Sequence, residues 1–329
     1  MRVFAYTTAS EMERAPARGA LEGLNPADFA GQHADAHLCA STMDGGLLAR
    51  CSLWWRQVPH YQEHRVGIVG HYASAGDDPA AAVLAAAEQR LRDAGCTIAI
   101  GPMNGNTWRS YRFVVEAGER APFFLEPANP KDWPAQFGKA GFSVLASYFS
   151  SLNTDLSRPD PRLETIEKNV QDSGVTIRPA KADLRAELQN IYAVSQISFR
   201  QNFLYTEIPE SDFAAMYEPV LPAARPELVL LAERAGRCVG YVFAIPDLAQ
   251  QASGAQMDTF IIKTVAVLPQ EVRGLGTLLV ARAQQAGHQR GYQNCIHALM
   301  FENNVSRKIS DHYASVMRKY ALFAKLLSP

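Results

Sequence analysis

The chain has 329 residues, 47% of them hydrophobic and 20% charged, with a formal net charge of -1. Its length exceeds what one core usually supports, so two domains are expected, and its dispersed Lys and Arg residues argue against a phosphate-backbone binder, so no nucleic-acid partner is expected. Cys39, Cys51, Cys96, Cys238 and Cys295 are scattered with no C-x-x-C pair, and no run of about 18 apolar residues occurs; a cytoplasmic protein with reduced thiols and no membrane partner is the expectation.

Cys39 to Thr42 and Leu47 to Trp55 read as a hairpin around Asp44-Gly45-Gly46. His33-Ala34-Asp35-Ala36-His37 reads as a surface segment and Trp54-Trp55 as sheet packing. His60-Tyr61-Gln62-Glu63-His64 matches the H-x-x-E-H zinc pattern, but in a stretch too short for the helix that pattern needs, so no metal is expected. Val66 to Tyr72 is a further strand. Asp78-Pro79 has the form of an N-cap with proline at the first helical position, and Gly95 that of a C′ residue. Leu84, Ala87, Leu91 and Ala94 recur between them at helical spacing, with Glu88 off that stripe. Thr97 to Ile100 completes a strand, loop, helix and strand unit.

The string Gly101-Pro102-Met103-Asn104-Gly105-Asn106-Thr107-Trp108-Arg109-Ser110-Tyr111-Arg112 alternates turn formers with Trp, Tyr and Arg, residues suited to gripping a ligand or a partner surface. Asn104, Trp108 and Tyr111 would wall a substrate site if the two halves face each other. Packing that seals the domain interface is the other reading.

Leu156 to Pro161 is turn-rich, and Arg162 to Asp172 is polar and helical in pattern. The chain therefore divides into residues 1–155, a linker at 156–174 and residues 175–329. In the second part Val175 to Pro179 reads as a strand. Asp183 to Phe199 reads as a helix with Leu184, Leu188, Ile191 and Val194 inside, and Leu228 to Glu233 with Cys238 to Ile245 as a hairpin. Thr259 to Leu268 is apolar enough to be buried on both faces. A glycine loop, a helix from Thr277 to Arg290 and a strand from Gln293 to Met300 follow. The order hairpin, strand, loop, helix, strand thus occurs twice.

The loop Val272-Arg273-Gly274-Leu275-Gly276-Thr277 hands a buried strand to a helix. Glycine permits positive φ and close backbone approach, so consecutive amides and the helix N-terminus can converge on an anion, with Arg273 as an added cation. Such glycines need bind nothing, so the loop alone leaves its ligand open. A P-loop would need Gly-Lys-Ser/Thr, which is absent, and the third glycine of a dinucleotide fingerprint falls on Leu279.

The longer string resembles the coenzyme A signature of the GNAT superfamily of N-acetyltransferases. It comprises Lys263-Thr264-Val265-Ala266-Val267, Pro269, Arg273-Gly274-Leu275-Gly276, Gly291-Tyr292 and Asn303. The resemblance covers residues 175 to 329 and implies an α/β fold with a mixed sheet, binding acetyl-CoA or another acyl-CoA as cosubstrate. Asn303 is included in that cofactor site. It further implies that pantetheine lies along Val265, Ala266 and Val267, and that the acyl group passes to the amine of a small molecule or peptide. Lys263, charged within an apolar strand, faces either a cleft, where it would meet substrate, or a buried partner. Glu271 stands where the family usually has Gln or Arg. Ser310 stands where the family commonly places an acidic Tyr, which leaves Tyr313, one turn on, as the substitute proton donor.

In the first half, the corresponding loop carries Asp77 and Asp78 and one glycine, which repels a pyrophosphate. Phe137-Gly138-Lys139-Ala140-Gly141-Phe142 resembles a common GNAT ending, which identifies this half as a degenerate copy and the chain as two tandem GNAT-like domains. Two rival readings are a non-catalytic acyl-CoA-sensing module and an aminoacyl-tRNA-dependent peptidyltransferase, since the latter enzymes also use paired GNAT-like domains.

Overall fold

Short apolar runs separated by turn residues become thirteen strands of one continuous sheet. The computed structural model describes residues 1–158 and 160–327, with the side chains of Val305 and Ser306 excepted. The first half comprises β1 (Arg2–Tyr6), α1 (Ala9–Met12), α2 (Pro26–Gly31), β2 (Ala36–Ser41), β3 (Leu47–Trp54), β4 (Val66–Ser74) and α3 (Asp77–Asp93). It continues through β5 (Ile98–Gly101), β6 (Phe113–Glu116), α4 (Trp133–Lys139) and β7 (Ser143–Asn153). The helix α5 (Leu163–Asp172) leads into β8 (Val175–Pro179), α6 (Leu188–Ser198), α7 (Glu210–Tyr217), β9 (Val229–Arg234), β10 (Arg237–Pro246) and α8 (Leu248–Ala252). The remainder is β11 (Thr259–Val267), α9 (Leu275–Gln289), β12 (Asn294–Phe301), α10 (Val305–Ser310) and β13 (Ser315–Leu326).

The strand order is β1-β2-β3-β4-β5-β13-β7-β12-β11-β10-β9-β8, with β6 also on β13. Among the described strand pairs, β4/β5 and β11/β12 alone are parallel, and each pair is joined by a crossover helix, α3 or α9, as parallel neighbours require. The two halves exchange strands at the centre. β13, from the end of the chain, lies between β5 and β7, while β7 pairs with β12 of the second half.

Each half buries both faces of its sheet. In the first, Val83, Leu84 and Leu91 of α3 pack with Phe137 on one face, and Trp54, Ile68, Tyr320 and Leu322 fill the other with Met12 and Phe29. In the second, Leu278, Leu279 and Ala283 of α9 cover Phe260 and Ile262, and Ile191, Val194 and Phe213 of α6 and α7 cover Tyr241 and Ile261. Each such side chain contributes about 1.5–3 kcal/mol by leaving water.

Several local expectations shift. Gly76, not Asp78, is the N-cap of α3, and Asp77 pairs with Lys139 at 2.6 Å. Glu88 is buried because Lys325 of β13 reaches it at 2.7 Å. His37, expected on the surface, is fully buried in β2, where its Nδ1 meets Ser52 Oγ at 2.8 Å. The helix expected from Asp183 begins as a 3-10 turn at Leu184–Glu187, and the one expected from Thr277 starts at Leu275. His60 to His64 forms a turn closed by a Tyr61–His64 bridge.

Arg318 of β13 is the most deeply buried cation of the exchanged strand. It pairs with Glu126, and its Nε donates to Ala117 O at 2.6 Å, tying the 117–126 segment to β13. Glu126 also accepts from Tyr320 Oη. Removing one member would strand the other charge in the interior, so Arg318→Met is expected to lower unfolding free energy by about 3–5 kcal/mol. Lys319→Ala, which breaks an exposed pair with Glu116 on the same strand, is expected to cost under about 1 kcal/mol. Urea denaturation of the two variants checks the contrast.

Candidate functional site

The parallel pairing of β11 with β12 runs from Thr259–Asn294 to Ile262–His297 and stops. Strand β11 continues, held on its other edge by β10 as far as Val267–Gly240. Strand β12 meanwhile bulges, with Leu299 at φ +58 and its N–H donating to Ser150 Oγ at 3.0 Å. A gap opens between the two. Among the described residues, no backbone group pairs with the β12-facing edge of Lys263 to Ala266, and Val267 O is met by Ser198 Oγ at 3.0 Å.

The glycine loop closes one end of this gap. Gln270 (φ +69) and Gly274 (φ +96) turn the chain, and Gly274 is the N-cap of α9. Among the described residues, the N–H groups of Gly274, Gly276 and Thr277 have no acceptor. A Cβ on Gly276 would meet nothing closer than Ile309 Cδ1 at 3.5 Å, so a methyl would fit there in ordinary van der Waals contact. Arg273 is exposed beside it. Glu271 turns away to Arg234, 2.7 Å distant on the β9–β10 hairpin, so its charge is compensated before it reaches the loop.

On the α10 side of the gap stands His297, only 4% exposed. Its Nδ1 meets Ser310 Oγ at 2.9 Å, its ring lies edge-on to Tyr313, and its Nε2 has no partner. Burial lowers its pKa to about 4, so the ring is neutral. Tyr313 donates to Asp160 Oδ2 at 2.6 Å, and Asp160 is bound in turn by Arg162 Nε at 2.8 Å. Burial, then the bond to Asp160, pushes the Tyr313 hydroxyl well above its ordinary range. Hydrogen bonding to Arg162 holds Asp160 below the usual carboxylate range.

On the opposite face, Lys263 is half-buried, and its Nζ reaches Leu125 O at 3.3 Å. Burial and then the charge of Arg112 lower its pKa to about 8, with Glu126 opposing. Arg112 is 5% exposed and packs in the corner made by the perpendicular rings of Tyr111 and Tyr148, 3.7 and 3.9 Å from their centroids. Its Nη1 donates to Leu299 O at 3.0 Å, at the bulge that opens the gap.

The sequence matches no protein-family model and no curated protein. Solved structures do resemble it. A glucosamine N-acetyltransferase region of a fungal multi-domain β-N-acetylglucosaminidase aligns over 98% of this chain with TM-score 0.56 and 15% identity; this chain spans 38% of that protein's length. A tandem GNAT protein from the clavulanic acid biosynthesis pathway aligns over 100% of this chain and 99% of its own, with TM-score 0.51 and 12% identity. A probable N-acyltransferase from Enterococcus faecalis V583 aligns over 99% and 72%, with TM-score 0.58 and 12% identity. The chain has a tandem GNAT fold.

On this GNAT fold the structure groups the expected cofactor residues. Val265, Ala266 and Val267 border the gap, and Val272 to Thr277 form its end. Asn303 is exposed in the turn between β12 and α10. Ser310 is buried at 1% exposure and oriented toward His297, and Tyr313, expected in a terminal helix, stands in a turn before β13. The substrate-side residues divide. Tyr111 reaches the second half's gap through Arg112, whereas Trp108 packs on Phe199 and Phe213 with Nε1 donating to Thr206 O at 2.7 Å.

Asn104 belongs to the first half's own gap. There β4 parts from β5 after Ile68–Ile100, and Met103 N–H donates to Val69 O at 2.9 Å while Asn104 Oδ1 accepts from His71 N–H at 2.8 Å. That gap is filled by the chain itself. His297 and Arg112 were absent from the expected site. The available signals were a lone His in an apolar strand and the last residue of the Gly101–Arg112 string. A surface hollow of about 330 Å3, lined in part by Asp77, Glu88, Lys139 and Lys325, lies on the first half away from the gap.

Two outcomes are expected. Gly274→Ala places a Cβ 2.9 Å from Ile166 Cγ2 at positive φ and should lose about 1–2 kcal/mol, while Gly276→Ala should unfold with the parent in thermal melts. The second concerns acid. Burial, chiefly, lowers His37 and His71 to about 3 and His297 to about 4. Their unfolded values lie near about 6.5, so below that pH the unfolded chain binds protons that the folded one refuses. Stability is therefore complete above about pH 6.5 and falls as pH drops toward the folded values. Urea midpoints should decline through that window, with a shallower decline in His297→Gln.

Proposed function

We propose that the chain is an acyl-CoA-dependent N-acyltransferase, using acetyl-CoA or a longer acyl-CoA, that acylates a primary amine of a small molecule or peptide. The observation that carries this reading is the combination of free loop amides at Gly274, Gly276 and Thr277 with the unpaired edge of Lys263 to Ala266. The amides and helix end suit a pyrophosphate, and the unpaired edge suits the amide groups of pantetheine. An N–H of Val265 to Val267 would then polarise the thioester carbonyl as the amine attacks, stabilising the tetrahedral oxyanion. Asn303, in the turn before α10, is the remaining proposed cofactor contact.

Tyr313 is the proposed proton donor to the departing thiolate. Its raised pKa keeps it protonated, and its hydroxyl must turn from Asp160 to act. The engagement of Tyr313 by Asp160, with Ser310 buried, favours as a second reading a protein that binds acyl-CoA without transferring the acyl group. A cytoplasmic setting is proposed to accompany either reading. All five cysteines are free, and among the described residues no helix is long and apolar enough to cross a membrane.

Isothermal titration with coenzyme A is expected to show one site per chain, lost in Gly276→Trp. Thiol release from acetyl-CoA over an amine panel separates the two readings. The enzyme releases thiol with some amine and loses at least about tenfold in kcat in Tyr313→Phe, in line with a general acid's usual contribution. Absence of coenzyme A binding would overturn both.

A further inference from the structure

Arg112 is a buried cation without an anion. Among the described residues no carboxylate pairs with it, its Nε has no hydrogen-bond partner, and its Nη1 meets only the Leu299 carbonyl. The rings of Tyr111 and Tyr148, set nearly perpendicular to each other, both contact the guanidinium and hold it in place with its Nε buried and unpartnered. The Nε–Nη2 edge is the one that binds a carboxylate through two parallel hydrogen bonds.

Lys263 is close enough for Arg112 to lower its pKa, and among the described residues it too lacks an ion pair. The nearest carboxylate acting on it, Glu126, is already committed to Arg318, Tyr320 Oη and the Phe123 N–H. Two neighbouring cations with no counterion are costly in a closed protein. Here both stand where β11 and β12 part, Lys263 as the first unpaired residue of β11 and Arg112 on the β12 bulge. Lys263 faces Leu125, on the side away from α9 and the glycine loop, so these cations are separate from the proposed pyrophosphate end.

We propose that Arg112 and Lys263 together hold a carboxylate of the acceptor, so that the acceptor is an amino-acid-like molecule carrying both an amine and a carboxylate. The proposal rests on the acyltransferase reading above and names its substrate class. Arg112 supplies the planar bidentate contact and Lys263 the point charge, leaving the amine to approach the thioester carbonyl.

Matched pairs of primary amines with and without a carboxylate, β-alanine against propylamine and γ-aminobutyrate against butylamine, test this at saturating acetyl-CoA. The carboxylate member is expected to show at least a tenfold higher kcat/KM. Lys263→Met should reduce that preference at least fivefold, mainly through KM. Arg112→Lys, which keeps the charge but removes the fork, should reduce it as well; because Arg112 is buried, Lys263→Met remains decisive should Arg112→Lys fail to fold.

Calorimetry of β-alanine at pH 8.5, in buffers of differing ionisation heat, adds a readout independent of turnover. Proton uptake on binding is expected as the carboxylate restores the Lys263 charge, and it should vanish in Lys263→Met. Equal or better use of the neutral amines would overturn the proposal while leaving the acyltransferase reading intact. The same holds for a preference that survives Lys263→Met. A carboxylate preference found instead in the donor, succinyl-CoA over acetyl-CoA, would also overturn it. If no amine is turned over, absence of carboxylate binding to the coenzyme A complex overturns it too. Failure of coenzyme A itself to bind marks the failure of the underlying reading.

Discussion

Strand β11 is hydrogen-bonded along one edge to Val267 but along the other only to Ile262, and the site depends on that difference. Backbone amides inside a protein rarely go unpaired, so an open edge calls for a partner. The two halves meet the requirement differently at matching positions. His71 and Val265 each lie three residues beyond the last parallel pair of their strands, Ile68–Ile100 and Ile262–His297. The first half supplies its partner from the chain, through Asn104 and Met103; among the described residues, the second supplies none to the β12-facing edge of Lys263 to Ala266. A cosubstrate is the proposed missing partner, and one chain thus contains both a closed and an open version of the same gap.

The strand exchange makes the open version a property of the whole protein. Arg112 and Leu125 come from the first half, yet they meet Leu299 and Lys263 of the second. Their relative placement is fixed because β13 and β7 interleave between β5 and β12 and carry buried bonds such as Arg318–Glu126. A cleft walled by two halves would ordinarily open and close about its linker. Here the shared strands oppose that motion.

What the sequence made legible was local. The glycine loop, the apolar β11 and the stripe of α3 follow from residues within one turn or strand of each other, and the pattern carried them to the right places. The exchanged strands were not legible. In β13 Arg318, Lys319 and Lys325 interrupt the apolar run, and the groups that compensate Arg318 and Lys325, Glu126 and Glu88, lie 192 and 237 residues away in sequence. Nothing near Arg318 announces that it is satisfied. The same distance hid Arg112, whose significance appears only when Leu299, 187 residues on, is folded against it. His297 was hidden differently, since one histidine in an apolar strand cannot be told from a packed core residue until its unpartnered Nε2 is seen beside the gap.

The charges along the gap are then unevenly divided. At the loop end, Glu271 is neutralised by Arg234, so attraction for a phosphate would come from amides, the end of α9 and exposed Arg273. At the other end stand two cations, Arg112 buried and Lys263 half-buried, where an ionic contact is stronger and less screened by salt than at the surface. Among the described residues, a chain of net charge -1 thus holds two cations without an ion pair where the strands part. On the proposed reading the two ends act on different molecules. The loop holds a large cosubstrate by many weak backbone contacts, and the Arg112–Lys263 pair selects a small acceptor by one strong contact. Selectivity for the acceptor on that reading resides in residues from both halves, and the first half, whose own gap is closed, contributes through the buried guanidinium of Arg112.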